Sequence, residues 1–270
     1  GRMEVVRAAE LFAPGIVTTE RSEIRLTISP DGRTALWFSR DRPGGPGGFD
    51  IWISRRTGAG WGQPAPVTFN SPQRDFDPAF SADGRTVYFC SDRPGGLGGD
   101  DLYRVAVTAQ GFGQPEHLGP EVNSAGNEWA PMLSPNGRLL LWASNGRGGA
   151  GRFDLFAADA EDGRFLRAGP LPGAINTDAD EFDATYLADG VTVVFARARD
   201  LRVDTVRLYV ASLRGAAYDA GVLLPANVNR SDADAYAPML DWSRRDRITF
   251  SSPRRDARAG STDLYVIRYR

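Results

Sequence analysis

Hydrophobic residues in this chain come in runs too short for helices. "TALWFS", "TVYFCS", "LLLWAS", "VTVVFA" and "ITFSS" are each bounded by polar residues, glycine or proline. Such runs, rich in β-branched and aromatic residues, predict strands, and no stretch carries a helical period over a useful length. A turn precedes the first four: "SPDG" from Ser29, "SADG" from Ser81, "SPNG" from Ser134 and "LADG" from Leu187. Asp-Gly and Asn-Gly between apolar runs mark hairpins, because both turn residues need positive φ. The fifth turn has lost its glycine and reads "DWSRRDR". A third strand follows in each case ("FDIWIS", "DDLYRV", "FDLFAA", "VRLYVA", "TDLYVI"), and a fourth is predicted around "APVTF", "EHLGP", "FLRAGPL" and "AGVLL".

These elements repeat with a fixed period. An asparagine is followed five residues later by an acid at Asn70 and Asp75, Asn123 and Glu128, Asn176 and Glu181, and Asn229 and Asp234; Thr18 and Glu23 fit with threonine in place of asparagine. The acids lie 52, 53, 53 and 53 residues apart. Four short antiparallel strands per unit of about 50 residues are the blade of a β-propeller. A blade alone would expose both faces of its sheet, so the blades must pack in a ring. The predicted fold is all-β, one five-bladed propeller domain over 1–270, with units of about 20–67, 68–118, 119–171, 172–224, and 225–270 joined by 4–13. The last unit lacks a fourth strand, and "EVVRAAELFA" at 4–13 is placed to supply it and close the ring without an unpaired edge.

The unit "DFDPAFSADGRTVYFCSDRPGGLGGDDLY" resembles the TolB-like, WD-like propeller repeat of bacterial envelope proteins. The resemblance covers nearly the whole chain. It implies an exported or periplasmic propeller that binds a protein, peptide or glycan, as in propellers joined to OmpA-like domains. The chain departs from the repeat at Arg207, where the other units carry Asp50, Asp101, Asp154 and Asp263.

In a propeller blade, the acid before the first strand and the glycine-rich loop after the second share a face. Glu23, Asp75, Glu128, Glu181 and Asp234 are therefore expected to ring the channel mouth. Two such charges about 10 Å apart at a dielectric of about 20 repel by roughly 1.7 kcal/mol, so the ring needs compensation. Arg42, Arg93, Arg147, Arg199 and Arg254, one per unit at the start of that loop, are placed to supply it. The loop glycines permit close packing, and the aspartate that closes each loop is expected to accept its backbone N–H groups. Phe76, Trp129 and Phe182, one position after the acids, are expected between blades, with a sugar-stacking platform as the other role.

Composition narrows the chemistry. The chain has 32 arginines, 34 acids and a net charge of −2, which points to neither nucleic acid nor an anionic membrane. It contains no lysine, one histidine (His117) and one cysteine (Cys90), both expected to be structural. A Schiff-base lysine is excluded, and a zinc site or a hydrolytic triad has too few ligands or bases. No apolar run is long enough to span a membrane, and "GRMEVV" carries no charged-then-apolar leader, so a signal peptide is expected to be absent or already removed. The expected protein is a monomer with no required cofactor. Calcium at the acid-rich "NTDADEFD" and "NRSDADAY" stretches is the one metal considered.

The favoured function is a non-catalytic binding module whose mouth is lined by the five acids, the five arginines and Trp129. The alternative is a carboxylate-dependent glycoside hydrolase or lyase acting on a glycan at the same face. Glu128 and Glu181 are its best-placed pair, each beside an aromatic residue.

Overall fold

The structure, a computed structural model, describes residues 3–254 and 261–270. Five antiparallel sheets form the blades of a propeller. The innermost strands are Ile24–Ile28, Asp75–Phe80, Glu128–Leu133, Asp180–Tyr186 and Tyr236–Leu240. Second strands run Thr34–Ser39, Thr86–Ser91, Leu139–Ser144, Val193–Ala198 and Arg247–Ser252. Third strands run Asp50–Thr57, Asp101–Thr108, Asp154–Glu161, Arg207–Ala211 and Asp263–Arg268. The outer edge is short in most blades: Ala65–Pro66, Glu116–His117, Arg164–Pro170 and Val222–Leu223.

The fifth blade takes its outer strand from the N-terminus. Glu10 pairs with Val266 and Leu11 with Tyr265, and Glu4 exchanges backbone hydrogen bonds with Arg270. First and last segments of the chain thus share one sheet, and a small apolar cluster of Val17, Leu26, Ile28, Trp37, Trp52 and Leu264 seals the seam between the fifth blade and the first. A larger continuous core runs through all five blades.

Every innermost strand is broken by a β-bulge at the same place. The residues concerned are Arg25, Asp77, Ala130, Asp183 and Ala237, all with φ between 45° and 54° and all buried. A non-glycine residue in this region costs roughly 1–2 kcal/mol, so five in register imply that the surrounding ring enforces the bend. Part of the compensation is visible. The freed N–H of Arg25 donates to Ser251 Oγ, that of Ala130 to Asp77 Oδ2 at 3.1 Å, and that of Ala237 to Asp183 Oδ2 at 3.2 Å.

The repeated glycine-rich loop is explained by close approach between blades. A Cβ on Gly47 would sit 2.0 Å from the carbonyl oxygen of Gln73, on Gly98 2.4 Å from that of Gly126, and on Gly151 2.1 Å from that of Ala179. Each loop therefore presses its backbone onto the asparagine-to-acid connection of the next blade. The closing aspartates hold the loops as expected: Gly47 N–H donates to Asp50 and Gly151 N–H to Asp154 at 3.1–3.3 Å, and in the second blade Asp101 accepts from Leu97 N–H and pairs with His117. His117 and the buried Cys90 are built into this framework. Where Arg207 replaces the aspartate, it instead donates to the carbonyl of Ala233 at 2.9 Å.

Candidate functional site

The acids expected at the mouth lie beneath its surface. Glu23, Asp75, Glu128 and Glu181 are fully buried, and each binds back onto the residue four positions earlier. Thr19, Ser71, Ser124 and Thr177 donate both backbone N–H and hydroxyl to them, at 2.5–3.0 Å. These carboxylates tie the connection between blades. Asp234 is out of register with them. Its backbone position matches Asp180, it accepts Val206 N–H at 2.9 Å, and Ala235 occupies the place of the fifth ring acid. One residue inserted between Asn229 and the strand hides this shift from a fixed-spacing argument.

Two of the five arginines' expected contacts with ring carboxylates are made, one of them by a different residue. Arg93 pairs with Asp75 at 2.7 Å, and Glu181 pairs at 2.8 Å with Arg197 rather than with Arg199, which is exposed. Glu128 is served by the Ser144 hydroxyl at 2.7 Å. Arg42 lies 4.7 Å over the Trp52 ring. Arg147 and Arg254 bind carbonyls of the preceding connection, at Glu121 and Val228 respectively, and stack on Trp142 and on Phe250 with Tyr265. The arginines are thus clasps between a loop and its own blade's aromatic pair.

What opens at the mouth is a cavity of about 380 Å³. Its wall takes one residue from each blade, the position directly after each ring acid: Ile24, Phe76, Trp129, Phe182 and Tyr236. Phe76, Trp129 and Phe182 therefore face the channel rather than only neighbouring blades. The bulge that follows turns Asp77 and Asp183 into the cavity, while Arg40, Phe49, Arg74 and Asp100 form the rim. Trp129 is held on several sides: its Nε1–H donates to Asp100 Oδ2 at 2.9 Å, its ring stacks on Phe153 at 4.1 Å, and Phe182 meets it edge-on. Arg74 binds Asp100 and Asp92 and lies 5.2 Å from the Phe49 ring.

Burial pushes Asp77 up to about 8, with the Asp183 charge adding to the rise. Burial also raises Asp183, against the opposing pull of Arg25. The two titrate as a pair. Arg25 is completely buried; its Nη2 donates to the carbonyl of Pro131, its Nε and Nη1 have no partner, and Asp77 and Asp183 balance its charge at longer range. The site therefore offers two buried carboxyl groups, each already accepting one backbone N–H, beside aromatic walls. Among the described residues no group of three or more acids, histidines or cysteines is placed to hold a metal. In the acid-rich stretch considered for calcium, Asp180 binds Arg152, Glu181 binds Thr177 and Arg197, and Asp183 accepts from Ala237.

No protein-family model matches the sequence, and no curated protein does so either. Solved structures do match. TolB from Acinetobacter baumannii superposes with a TM-score of 0.52 at 14% identity, over 93% of this chain and 55% of that one. A TolB structure from Agrobacterium tumefaciens gives 0.54 at 17% identity, over 93% and 91%. An α-L-arabinofuranosidase from Lactobacillus brevis gives 0.61 at 10% identity, over 96% and 92%. The chain has the propeller fold of these proteins. At such identities the likeness is one of fold, and this chain spans only about 55% of the length of the Acinetobacter TolB.

Sequence reasoning named Trp129 among the site residues but missed Asp77, Asp183, Arg25 and Arg40. A signal for the first two was present: "DFDP" and "EFDA" carry a second acid two positions after the ring acid or its neighbour. Strict alternation would send both acids of such a pair to one face, and the bulge separates them.

Proposed function

We propose that this propeller is a binding module that takes a segment of a neutral glycan into its mouth cavity. One observation carries the proposal: each blade contributes the residue after its ring position to a single cavity, four of the five being aromatic, with two carboxyl groups at the base. Sugar rings present apolar C–H faces that pack on aromatic rings and hydroxyls that pair with a donor and an acceptor side by side. Two arginines and four acids line the cavity, an excess of acid that disfavours an anionic ligand and leaves a neutral sugar the better fit. An exported location in the bacterial envelope belongs to the same proposal and rests on the resemblance of the repeat to envelope propellers. The test is a thermal-shift and calorimetric screen of neutral oligosaccharides. A binder should lose at least about tenfold in affinity in Trp129→Ala, equal to about 1.4 kcal/mol. Binding that is indifferent to Trp129→Ala would place the ligand elsewhere.

A second reading is favoured by one specific feature. Asp77, raised to about 8, and Asp183 line the same cavity, as a proton donor and a carboxylate must in glycoside hydrolysis. It is tested by release of nitrophenol from aryl glycosides. Activity abolished by both Asp77→Asn and Asp183→Asn would convert the binding module into an enzyme.

A further inference from the structure

A second groove, of about 600 Å³, lies at the opposite end of the seam between the fifth blade and the first. Four arginines line it: Arg33, Arg56, Arg244 and Arg247. They come together because the hairpin turns of the two blades touch, a Cβ on Gly32 lying 3.4 Å from Ser243 Cβ, and because Arg56 N–H donates to the carbonyl of Arg33. Among the described residues none of the four guanidinium groups forms an ion pair or donates a hydrogen bond, and Arg247 Nε is buried without a partner.

Three acids share the groove, leaving the four arginines in excess by one charge, and two of the acids hold their own turns through Oδ1. Asp31 accepts from the Ser29 hydroxyl and from Arg33 N–H, and Asp241 accepts from the hydroxyl and the N–H of Ser243. Glu10 stands exposed at the edge. The cluster is particular to this seam: at the position of Arg56 the second and third blades carry Val107 and Ala160, which make the same backbone hydrogen bond. Trp61 lines the groove beside the charges, with Arg56 5.8 Å over its ring and Phe12 packed against it at 5.4 Å.

We propose that this groove is an anion site, taking the phosphate, sulfate or carboxylate group of a small molecule whose remaining body packs against Trp61. Unpaired guanidinium groups converging on one hollow are suited to oxyanions through forked hydrogen bonds, and the hollow is larger than a free oxyanion needs. The site is independent of the mouth cavity and of any ligand there.

The experiment titrates the protein with inorganic phosphate and, separately, with glucose 6-phosphate, at constant ionic strength, following melting temperature and tryptophan fluorescence. The expected result is a saturable rise in melting temperature with at least one ligand, weakened tenfold or more in Arg56→Gln/Arg244→Gln and unchanged in Trp129→Ala. Trp61→Phe should keep the thermal shift and remove the fluorescence change. Tighter binding of the sugar phosphate would assign the site to an anion carried on a larger body; equal affinity would assign it to the oxyanion alone. Absence of saturable binding by either ligand, or binding unaltered in the double arginine variant, would overturn the proposal.

Discussion

Asp77 keeps its proton near neutral pH because it is buried beside Asp183 and only partly offset by Arg25. In the unfolded chain the same carboxyl ionises near its ordinary value of about 4. Between about pH 4 and 8 the native state therefore binds the proton more tightly, so stability falls as pH rises through that window, by at most about 1.4 kcal/mol per pH unit from this group. Glu23, also pushed up to about 8 by burial, adds a fall of the same sign. Denaturant midpoints measured at pH 5 and pH 8 should show wild type weaker at pH 8, and Asp77→Asn should flatten the slope. Glu181 offers the contrast. Its carboxylate is paired with Arg197 and with two donors of Thr177, and Glu181→Gln should cost about 1–3 kcal/mol, because these donors lose a charged acceptor while Arg197 Nη2 keeps the carbonyls of Ile175 and Ala220. Asp77 escaped the sequence reading because its orientation depends on a bulge, and nothing in the alternation of "DFDPAF" announces that its third residue adopts a positive φ.

At the scale of elements, the glycine loops and the bulged strands are the two devices that repeat. The loops were legible in the sequence, since "GGPGG" and "GGLGG" suit a backbone that takes positive φ and approaches another closely, and the aspartate that closes them lies at a fixed offset. Gly98→Ala would place a Cβ 2.4 Å from the Gly126 carbonyl, and should destabilise by about 1–3 kcal/mol. For a chain of this length that is a fall of roughly 2–4 °C in melting temperature per kcal/mol. Gly58→Ala, at a site with open space around it, serves as the control for its own backbone strain without a clash. The arginines were legible as a set, one per unit, but their partners were not. Whether Arg93 reaches Asp75 or Arg147 reaches a carbonyl is decided by a shift of one residue after the second strand, and in the fourth unit the role moved into the strand itself, to Arg197.

At the scale of the molecule, the ring is closed by a strand from the far end of the chain. Removing residues 3–13 would unpair the edge of Asp263–Arg268 and open the Val17–Trp37–Leu264 cluster beside it. The shortened protein should melt at lower temperature and associate at high concentration, which calorimetry and light scattering would register. Closure also fixes the diameter of the mouth, and with it the meeting of Ile24, Phe76, Trp129, Phe182 and Tyr236 around one cavity. On the proposed function, this cavity receives the ligand while the buried ring acids behind it only hold the blades together. The most direct measurement is calorimetric titration of one oligosaccharide ligand against wild type, Trp129→Ala and Glu128→Gln, with the melting temperature of each. Trp129→Ala should lose binding at least tenfold, while Glu128→Gln should lose stability and keep the wild-type affinity. Loss of binding in Glu128→Gln at unchanged stability, with Trp129→Ala unaffected, would contradict the proposed function.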